Sequence, residues 1–512
     1  MIQRALLSTF EKSGLVEFAQ GLTELGVELV ASGGTADHLR EHGIEVGRVE
    51  DLTEVPELLG GRVKTLHPRI HAAILARRDH PDDLAALDEH GIQPFDLVCV
   101  NLYPFTQVAS RHGVTEEDAV EMIDIGGPSM LRAAAKNFAY VAPVCRPERY
   151  GSILAELRES QSISIETRRA LAAEAFAVTA AYEAAIARWF GDREAFPDLL
   201  IPSFEKVTDL VYGENPHQRA AYYSEAGARR HLLSRVGQLH GRELSYNNLA
   251  DLSAARMLML ELTVPACVIV KHANPCGAAV AGSVEGAYER ALGCDPLSAY
   301  GGVVVVNRPV GAELGAKMAE QFIEVLLAPD YDERALEALR QKPATRILVD
   351  HERRRFDPGE RDFRRVLGGL LVQDRDWGVE EREGMEVVSG EPTEADWGDL
   401  LFAWRVCKHV TSNAIVIVKD LQTIGIGAGQ MSRVDAVKIA IEKAREHGHD
   451  LEGAALASDA FFPFPDGPRV ALEAGVRSLI QPGGSKRDQD VIDAVESAGA
   501  TMVFTHRRHF HH

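Results

Sequence analysis

Val27-Glu28-Leu29-Val30-Ala31-Ser32-Gly33-Gly34-Thr35-Ala36-Asp37-His38-Leu39 is the stretch that decides the fold. It reads as an apolar strand (Val27–Ala31), a glycine turn and a helix (Thr35–His42) with nothing between them. The same alternation surrounds it. Ala5–Leu7 is a short strand, Gly14–Leu25 an amphipathic helix and Phe95–Asn101 another apolar strand. Strands alternating with helices predict a parallel sheet with helices on its faces.

Glycines between a strand and a helix let the chain turn tightly. Backbone N–H groups and hydroxyls then face an anion at the helix N-terminus. Ser32-Gly33-Gly34-Thr35 is one such turn. Asp124-Ile125-Gly126-Gly127-Pro128-Ser129 is a second, before a helix over Met130–Asn137, and Pro128 suits a first helical turn. Ligands of open α/β sheets bind at the carboxyl ends of strands, so two such turns point to one ligand. Between them lies Gly61-Arg62-Val63-Lys64-Thr65-Leu66-His67-Pro68, with Arg62 and Lys64 on one face if extended. His67 and His71 are four apart, but Pro68 intervenes and no Glu follows in His-Glu-x-x-His order, which argues against a zinc pair. Tyr103, in Asn101-Leu102-Tyr103-Pro104-Phe105, is either a packed aromatic or a hydroxyl donor.

A long Ala-rich helix is expected over about residues 166–190, and the glycine and prolines after it predict a domain boundary near residue 197. The remainder is again mixed α/β. Cys267–Lys271, Val303–Asn307, Ala414–Lys419 and Thr423–Ile426 read as strands. Asp435–His447 reads as a helix, with Ser432 and Asp435 resembling a capping box. The charge-dense stretch Asp350–Arg365 reads as an exposed loop or edge.

The chain is acidic, with 76 Asp and Glu against 55 Lys and Arg, which argues against nucleic acid as a partner. Its six cysteines are scattered and form no Cys-x-x-Cys, as expected of reduced thiols. Met1–Gly14 lacks a signal pattern, and no uninterrupted apolar run approaches the roughly 20 residues a bilayer requires. The expectation is a cytoplasmic protein without a membrane partner.

Several segments together resemble the family of bifunctional purine-biosynthesis enzymes that join AICAR formyltransferase to IMP cyclohydrolase. Gly61–Pro68, Asn101–Phe105, Ile123–Gly127 and Arg132–Asn137 are similar to its cyclohydrolase domain in order and spacing. Tyr212–Gln218, Lys271–Gly277, Asp295–Gly302, Ile424–Gln430 and Ser458–Phe464 are similar to its transferase domain. The resemblance covers essentially the whole chain. It implies a methylglyoxal-synthase-like parallel-sheet domain over 1–197, then two cytidine-deaminase-like α/β units over 198–512. In deaminases zinc is held through His-x-Glu and Pro-Cys-x-x-Cys. Here Pro275-Cys276 is followed by Gly277-Ala278-Ala279, so no metal is expected for catalysis, while a monovalent cation is compatible with the family.

The resemblance implies that 10-formyltetrahydrofolate, the folate cosubstrate, gives its formyl group to AICAR. FAICAR then closes to IMP with loss of water. For transfer it implies His272 as proton manager, Lys271 as charge stabiliser and Asn413 as a further catalytic side chain. Tyr212, Asn248, Gly301, Glu324 and Phe461 are implied on the nucleotide or folate side. Phe461–Phe464 also reads as a plain core strand. The ending Arg507-Arg508-His509-Phe510-His511-His512 is either a frayed tail or the family's own ending. On the second reading Arg508 and Phe510 contact AICAR and the tail completes the nucleotide site across a homodimer. For cyclisation it implies Lys64, Tyr103, Asp124 and Lys136 as catalytic. Ser32, Gly33, Gly34, Thr35 and Arg62 hold the 5′-phosphate beside the Gly126-Gly127 turn.

Two positions depart from the family. Val211 stands where an Arg usually contacts AICAR, with Arg219 or Arg256 as candidate replacements. Phe10 removes a hydroxyl near the phosphate site. The competing readings are an enzyme with only its cyclohydrolase fully active and a nucleotide- or folate-binding regulator without turnover.

Overall fold

The computed structural model describes residues 2–55, 59, 62–111, 113–191, 196–226, 233, 236–351, 360–378 and 381–512. The chain forms two compact units, one of Met1–Glu205 with Glu225–Ala228, the other of Lys206–Ser224 with Arg229–His512. Gly61 and residues 352–359 of the charged 350–365 stretch lie outside the described residues.

The first unit is built on five parallel strands: β1 (Arg4–Ser8), β2 (Glu28–Ala31), β3 (Gly47–Arg48), β4 (Leu97–Val100) and β5 (Ala142–Val144). Their order is β3-β2-β1-β4-β5. Alternate side chains serve two cores. Ala5, Leu7, Leu97 and Cys99 pack with Phe18 and Leu22 on one face, and Leu6, Val98 and Val100 with Ile70, Ile74 and Met130 on the other. Burial on both faces explains why these strands are apolar without alternation. The chain leaves β1 toward β2 on one side and returns through β4 on the other, so a topological switch point lies beside β1.

The helices begin earlier than the sequence suggests. Gly33–Glu41 replaces Thr35–His42, and Gly126–Lys136 replaces Met130–Asn137, so the glycines form first turns rather than preceding loops. The helix Ile165–Phe190 corrects the membrane reading in one respect. With 26 residues and a mean hydropathy of 1.4 over its most apolar 18, it is long and apolar enough to cross a bilayer. Alanine supplies that hydropathy, and Arg168, Arg169, Glu174, Glu183 and Arg188 interrupt it. Leu171, Ala172 and Ala175 are buried in the unit, and nothing about the helix implies a membrane.

β6 (Phe204–Leu210) and β7 (Ala220–Glu225) form a ribbon that falls mostly in the second unit. Six further strands follow: β8 (Gly237–His240), β9 (Ala266–Lys271), β10 (Asn274–Val280), β11 (Val303–Val306), β12 (Val325–Ala328) and β13 (Arg346–Val349). After the hairpin β14 (Arg361–Val366) and β15 (Gly369–Asp374), six more appear. They are β16 (Glu386–Ser389), β17 (Ile415–Lys419), β18 (Gln422–Gly427), β19 (Ala455–Ser458), β20 (Ser478–Gln481) and β21 (Thr501–Phe504). The sheet order is β16-β21-β20-β19-β17-β18-β10-β9-β11-β12-β13-β8. Read inward from either edge, the two halves have one topology and one pattern of parallel and antiparallel pairs. They meet at β10 and β18. One core lies under both halves, and each half has its own core on the other face.

Two local readings are corrected. Ser432 makes no side-chain capping bond, whereas Ser245 with Asn248 and Thr393 with Asp396 form full capping boxes at equivalent helices of the two halves. Asp350 is buried against Arg256 rather than exposed. A buried cation with a carboxylate partner is not free to replace an Arg at Val211.

Candidate active sites

A cleft of about 660 Å³ opens in the first unit at the carboxyl ends of β1, β2 and β4, beside the switch point, where the topology favours a ligand. Ser32, Gly34, Thr35, Arg62, Lys64, Tyr103, Asp124, Gly126 and Gly127 line it. Its glycines answer to the reactive side chains. A Cβ on Gly33 would run into Lys64 Nζ, one on Gly126 into Thr65 Oγ1, and one on Gly127 into the Asp124 carboxylate. Lys64 also pairs with Glu50 at 3.2 Å. Asp124 accepts from Gly127 N at 2.8 Å, and its own N–H donates to Tyr182 Oη at 2.8 Å. The long helix thus fixes the turn that carries the carboxylate. Burial raises the Asp124 pKa above the usual carboxylate range, against the opposing pull of the Gly127 and Tyr103 N–H groups.

Exchanging Gly33 for Ala is expected to lower cyclisation about 10²-fold, because displacing a reacting group by an ångström costs that much. Thermal stability should hold or rise, since Ala suits a helix better than Gly. Steady-state cyclisation beside a melting curve checks both.

Thr35 and Ser32 have internal duties. Thr35 Oγ1 accepts from Thr9 N at 3.0 Å, and the Ser8 and Ser32 hydroxyls lie 2.8 Å apart. Arg62 pairs with Glu121 at the rim. Phe10 packs against Tyr103, ring centroids 5.4 Å apart, so the lost hydroxyl is replaced by an aromatic wall. Sequence reading missed Lys12, which lines the cleft with Nζ 3.0 Å from Thr35 Oγ1 and has its pKa lowered by burial. Its signal in the sequence is its place two residues after Phe10, beside the departure from the family.

Lys136 is not brought into this cleft. It ends the helix that Gly126 begins, about 15 Å further along at 1.5 Å per residue. There it lines a separate opening with Arg132, Phe138, Arg169 and Phe176.

In the second unit the expected residues form two groups. In the first, Lys271 Nζ donates to Tyr300 O (3.0 Å) and Gly301 O (2.9 Å), where Gly301 has φ +68°. His272 and Ala273 make the two-residue β9–β10 turn with φ of 51° and 59°, and His272 is exposed. Asn248 is buried and donates to Glu324 Oε1 at 3.0 Å, so it holds Glu324. Asn247 Nδ2 ties this helix start to Glu214 O of the loop carrying Tyr212, at 3.2 Å. The second group lines a cleft of about 530 Å³: Asn413, Arg433, Phe461, Phe464, Arg508 and Phe510. Phe461 is a loop residue, not part of a core strand. The C-terminal tail is anchored, with His509 buried against Asp376, and Ser412 N donating to His511 O at 2.8 Å. Arg508 lies over the Phe510 ring, 4.5 Å from its centroid. Thr411 N donates to Asn274 Oδ1 at 2.8 Å, which joins the two groups.

Arg433 was also missed. It bonds Asn413 Oδ1 at 2.7 Å and pairs with buried Asp459, which in turn accepts from Ala414 N at 3.1 Å. Its sequence signal is slight, an Arg in a helix's first turn. Among the described residues, no group of three or more His, Cys, Asp or Glu could hold a metal ion.

These clefts set helix starts, whose N–H groups suit an anion, beside ionisable side chains, an arrangement that fits a nucleotide. The family model described as AICARFT/IMPCHase bienzyme matches residues 134–443, and the MGS-like domain model matches residues 14–129. The chain belongs to the AICARFT/IMPCHase bienzyme family and carries that family's two activities, AICAR formyltransferase and IMP cyclohydrolase. Its first unit is an MGS-like domain with a parallel sheet, followed by an α/β region. A solved structure titled "Crystal structure of ForH" is 40% identical over 37% of this chain and 97% of that chain, with a TM-score of 0.34.

Proposed function

We propose that the chain performs the last two steps of IMP synthesis, with the transferase in 198–512 and the cyclohydrolase in 1–197. The observation that carries this reading is that each unit has its own set of proton-transfer groups, Lys64, Tyr103 and Asp124 in one and Lys271 and His272 in the other. In transfer, the AICAR amine attacks the formyl carbon of 10-formyltetrahydrofolate. His272 takes the amine proton and returns it to N10 of the folate as that nitrogen leaves, while Lys271 steadies the tetrahedral oxyanion. Asn413, Arg508 and Phe510 orient the nucleotide, with Phe461 as an aromatic wall.

In cyclisation, the carboxamide nitrogen of FAICAR attacks the formyl carbon and water departs. Holding both groups close supplies much of the rate. Asp124 takes the nitrogen's proton, and Lys64 and Tyr103 stabilise the oxyanion. The Gly33–Thr35 helix start, Arg62 and Lys12 hold the 5′-phosphate. Lys136 contributes from a second copy of the chain, in keeping with a homodimer. The two repeated α/β units are cytidine-deaminase-like without the zinc ligands.

The test mixes protein, AICAR and 10-formyltetrahydrofolate, then measures tetrahydrofolate, FAICAR and IMP. Folate turnover with IMP accumulation supports both steps. Conversion of added FAICAR without folate turnover leaves only the cyclohydrolase, and no conversion at all leaves a binding protein. Restoring the charge with Val211→Arg is expected to lower the KM for AICAR about tenfold to a hundredfold, the worth of one charge-assisted hydrogen bond. An unchanged KM would mean that a cation other than the buried Arg256 already serves the site.

A further inference from the structure

The two halves of the second unit share more than topology. Each has a 14-residue helix, Tyr246–Met259 and Glu394–Cys407, before the central hairpin of its half. Each hairpin turns on two non-glycine residues with positive φ: His272 (51°) and Ala273 (59°), then Asp420 (53°) and Leu421 (60°). A lysine precedes each turn and donates to the chain entering the next strand. Lys271 Nζ reaches Tyr300 O and Gly301 O, and Lys419 Nζ reaches Asp450 O and Glu452 O. The same position of each helix, five residues from its start, is Asp251 or Asp399. Asp251 Oδ1 accepts from Ala273 N at 2.7 Å. Asp399 accepts from Asp420 N at 2.8 Å and Leu421 N at 2.6 Å.

Consecutive positive-φ residues without a glycine are unfavourable, most of all at Ala273 and Leu421, which are not among the types that visit that region readily, and they persist only where surrounding groups hold them. In both halves the holding group is a half-buried carboxylate on the neighbouring helix. Burial raises the pKa of both Asp251 and Asp399 above the ordinary carboxylate value, as expected of groups placed at such cost. Only one of the two turns carries an imidazole. The other presents Asp420 at the matching position and Leu421 where Ala273 stands.

We infer that Asp251 is the positioning residue for His272: its carboxylate clamps the strained turn, and so sets where the imidazole meets the transferred proton. Asp399 is the same clamp in the half without the imidazole, and serves the fold alone. This rests on the proposed role of His272 in formyl transfer.

Asp251→Ala and Asp399→Ala, which remove the acceptor oxygens, are compared with wild type by melting curve, formyl transfer and cyclisation. Asp251→Ala should lower kcat for transfer about 10²-fold, as expected of a misplaced reacting group, with the KM for AICAR little changed. Asp399→Ala should melt like Asp251→Ala yet keep wild-type transfer. Adding Ala273→Gly, which reaches positive φ without strain, should restore much of the lost kcat of Asp251→Ala but none of the activity of His272→Ala. Should Asp251→Ala fail to fold, Asp251→Glu, which keeps the charge but moves the oxygens, replaces it in every comparison. The inference falls if the Asp251 variant transfers like wild type, or if both variants lose transfer in proportion to melting temperature. A wild type without transfer, or a His272→Ala variant that transfers normally, would instead overturn the proposed function.

Discussion

Replacing His272 with Ala is expected to lower formyl transfer by about 10²–10⁴-fold, the usual worth of a positioned general base. Conversion of added FAICAR to IMP should be unchanged, because the cyclisation residues belong to the other unit. The AICAR amine is conjugated with the imidazole and its carboxamide, so its lone pair is a weak nucleophile until the proton is taken. His272 sits exposed at the tip of a clamped turn, where a substrate can reach it. Lys271 is bound differently. Its ammonium donates to Tyr300 O and Gly301 O, so Lys271→Met should remove both charge stabilisation and the brace on the Gly301 turn. A KM increase for folate or AICAR is therefore expected in Lys271→Met and not in His272→Ala. Tetrahydrofolate release under saturating and limiting substrate separates the two.

The first unit was legible because its signals are local. A strand buried on both faces is apolar throughout, and a glycine pair before a helix is visible without knowing the neighbours. The glycines also carry information that the sequence cannot display. Gly33 is small because Lys64 lies over it, and Gly127 because the Asp124 carboxylate does, contacts spanning 31 and 3 positions respectively. Motif order could propose Lys64 and Asp124, but only the fold brings them together. It also sets Lys136 apart, since that residue is a full helix length from the Gly126 turn.

The duplication in the second unit was implied by the resemblance alone and was not legible in the residues themselves, for a physical reason. What repeats is backbone geometry: two αL residues at a turn, a carboxylate on the preceding helix, a positive-φ glycine at 301 and 453. The side chains around this geometry diverge, with His272 against Asp420 and Glu324 against Arg477. Pairing of charges across long separations was equally hidden. Asp350 reads as part of an exposed charged stretch and Arg256 as a candidate AICAR contact until the fold buries them together.

Asp124→Asn is expected to lower cyclisation by about 10²–10⁴-fold while formyl transfer to AICAR continues, so FAICAR should accumulate in place of IMP. Asparagine keeps an oxygen to accept the Gly127 N–H, so the turn survives while the proton acceptor is lost. The pH dependence gives a second reading. Burial raises the Asp124 pKa, so the carboxyl ionises at a higher pH than a free aspartate. As a base it works only when ionised, and wild-type cyclisation should therefore fall as pH drops through that raised value. The sign for stability is opposite. A carboxyl that ionises more readily unfolded than folded weakens the fold above its unfolded pKa, and the penalty fades as pH falls through the folded value. Asp124→Asn should accordingly melt no lower than wild type at neutral pH, and its residual cyclisation should lack the acid limb. Loss of cyclisation with lower stability would mark Asp124 as a structural residue. Loss with equal or higher stability marks it as the group that takes the proton.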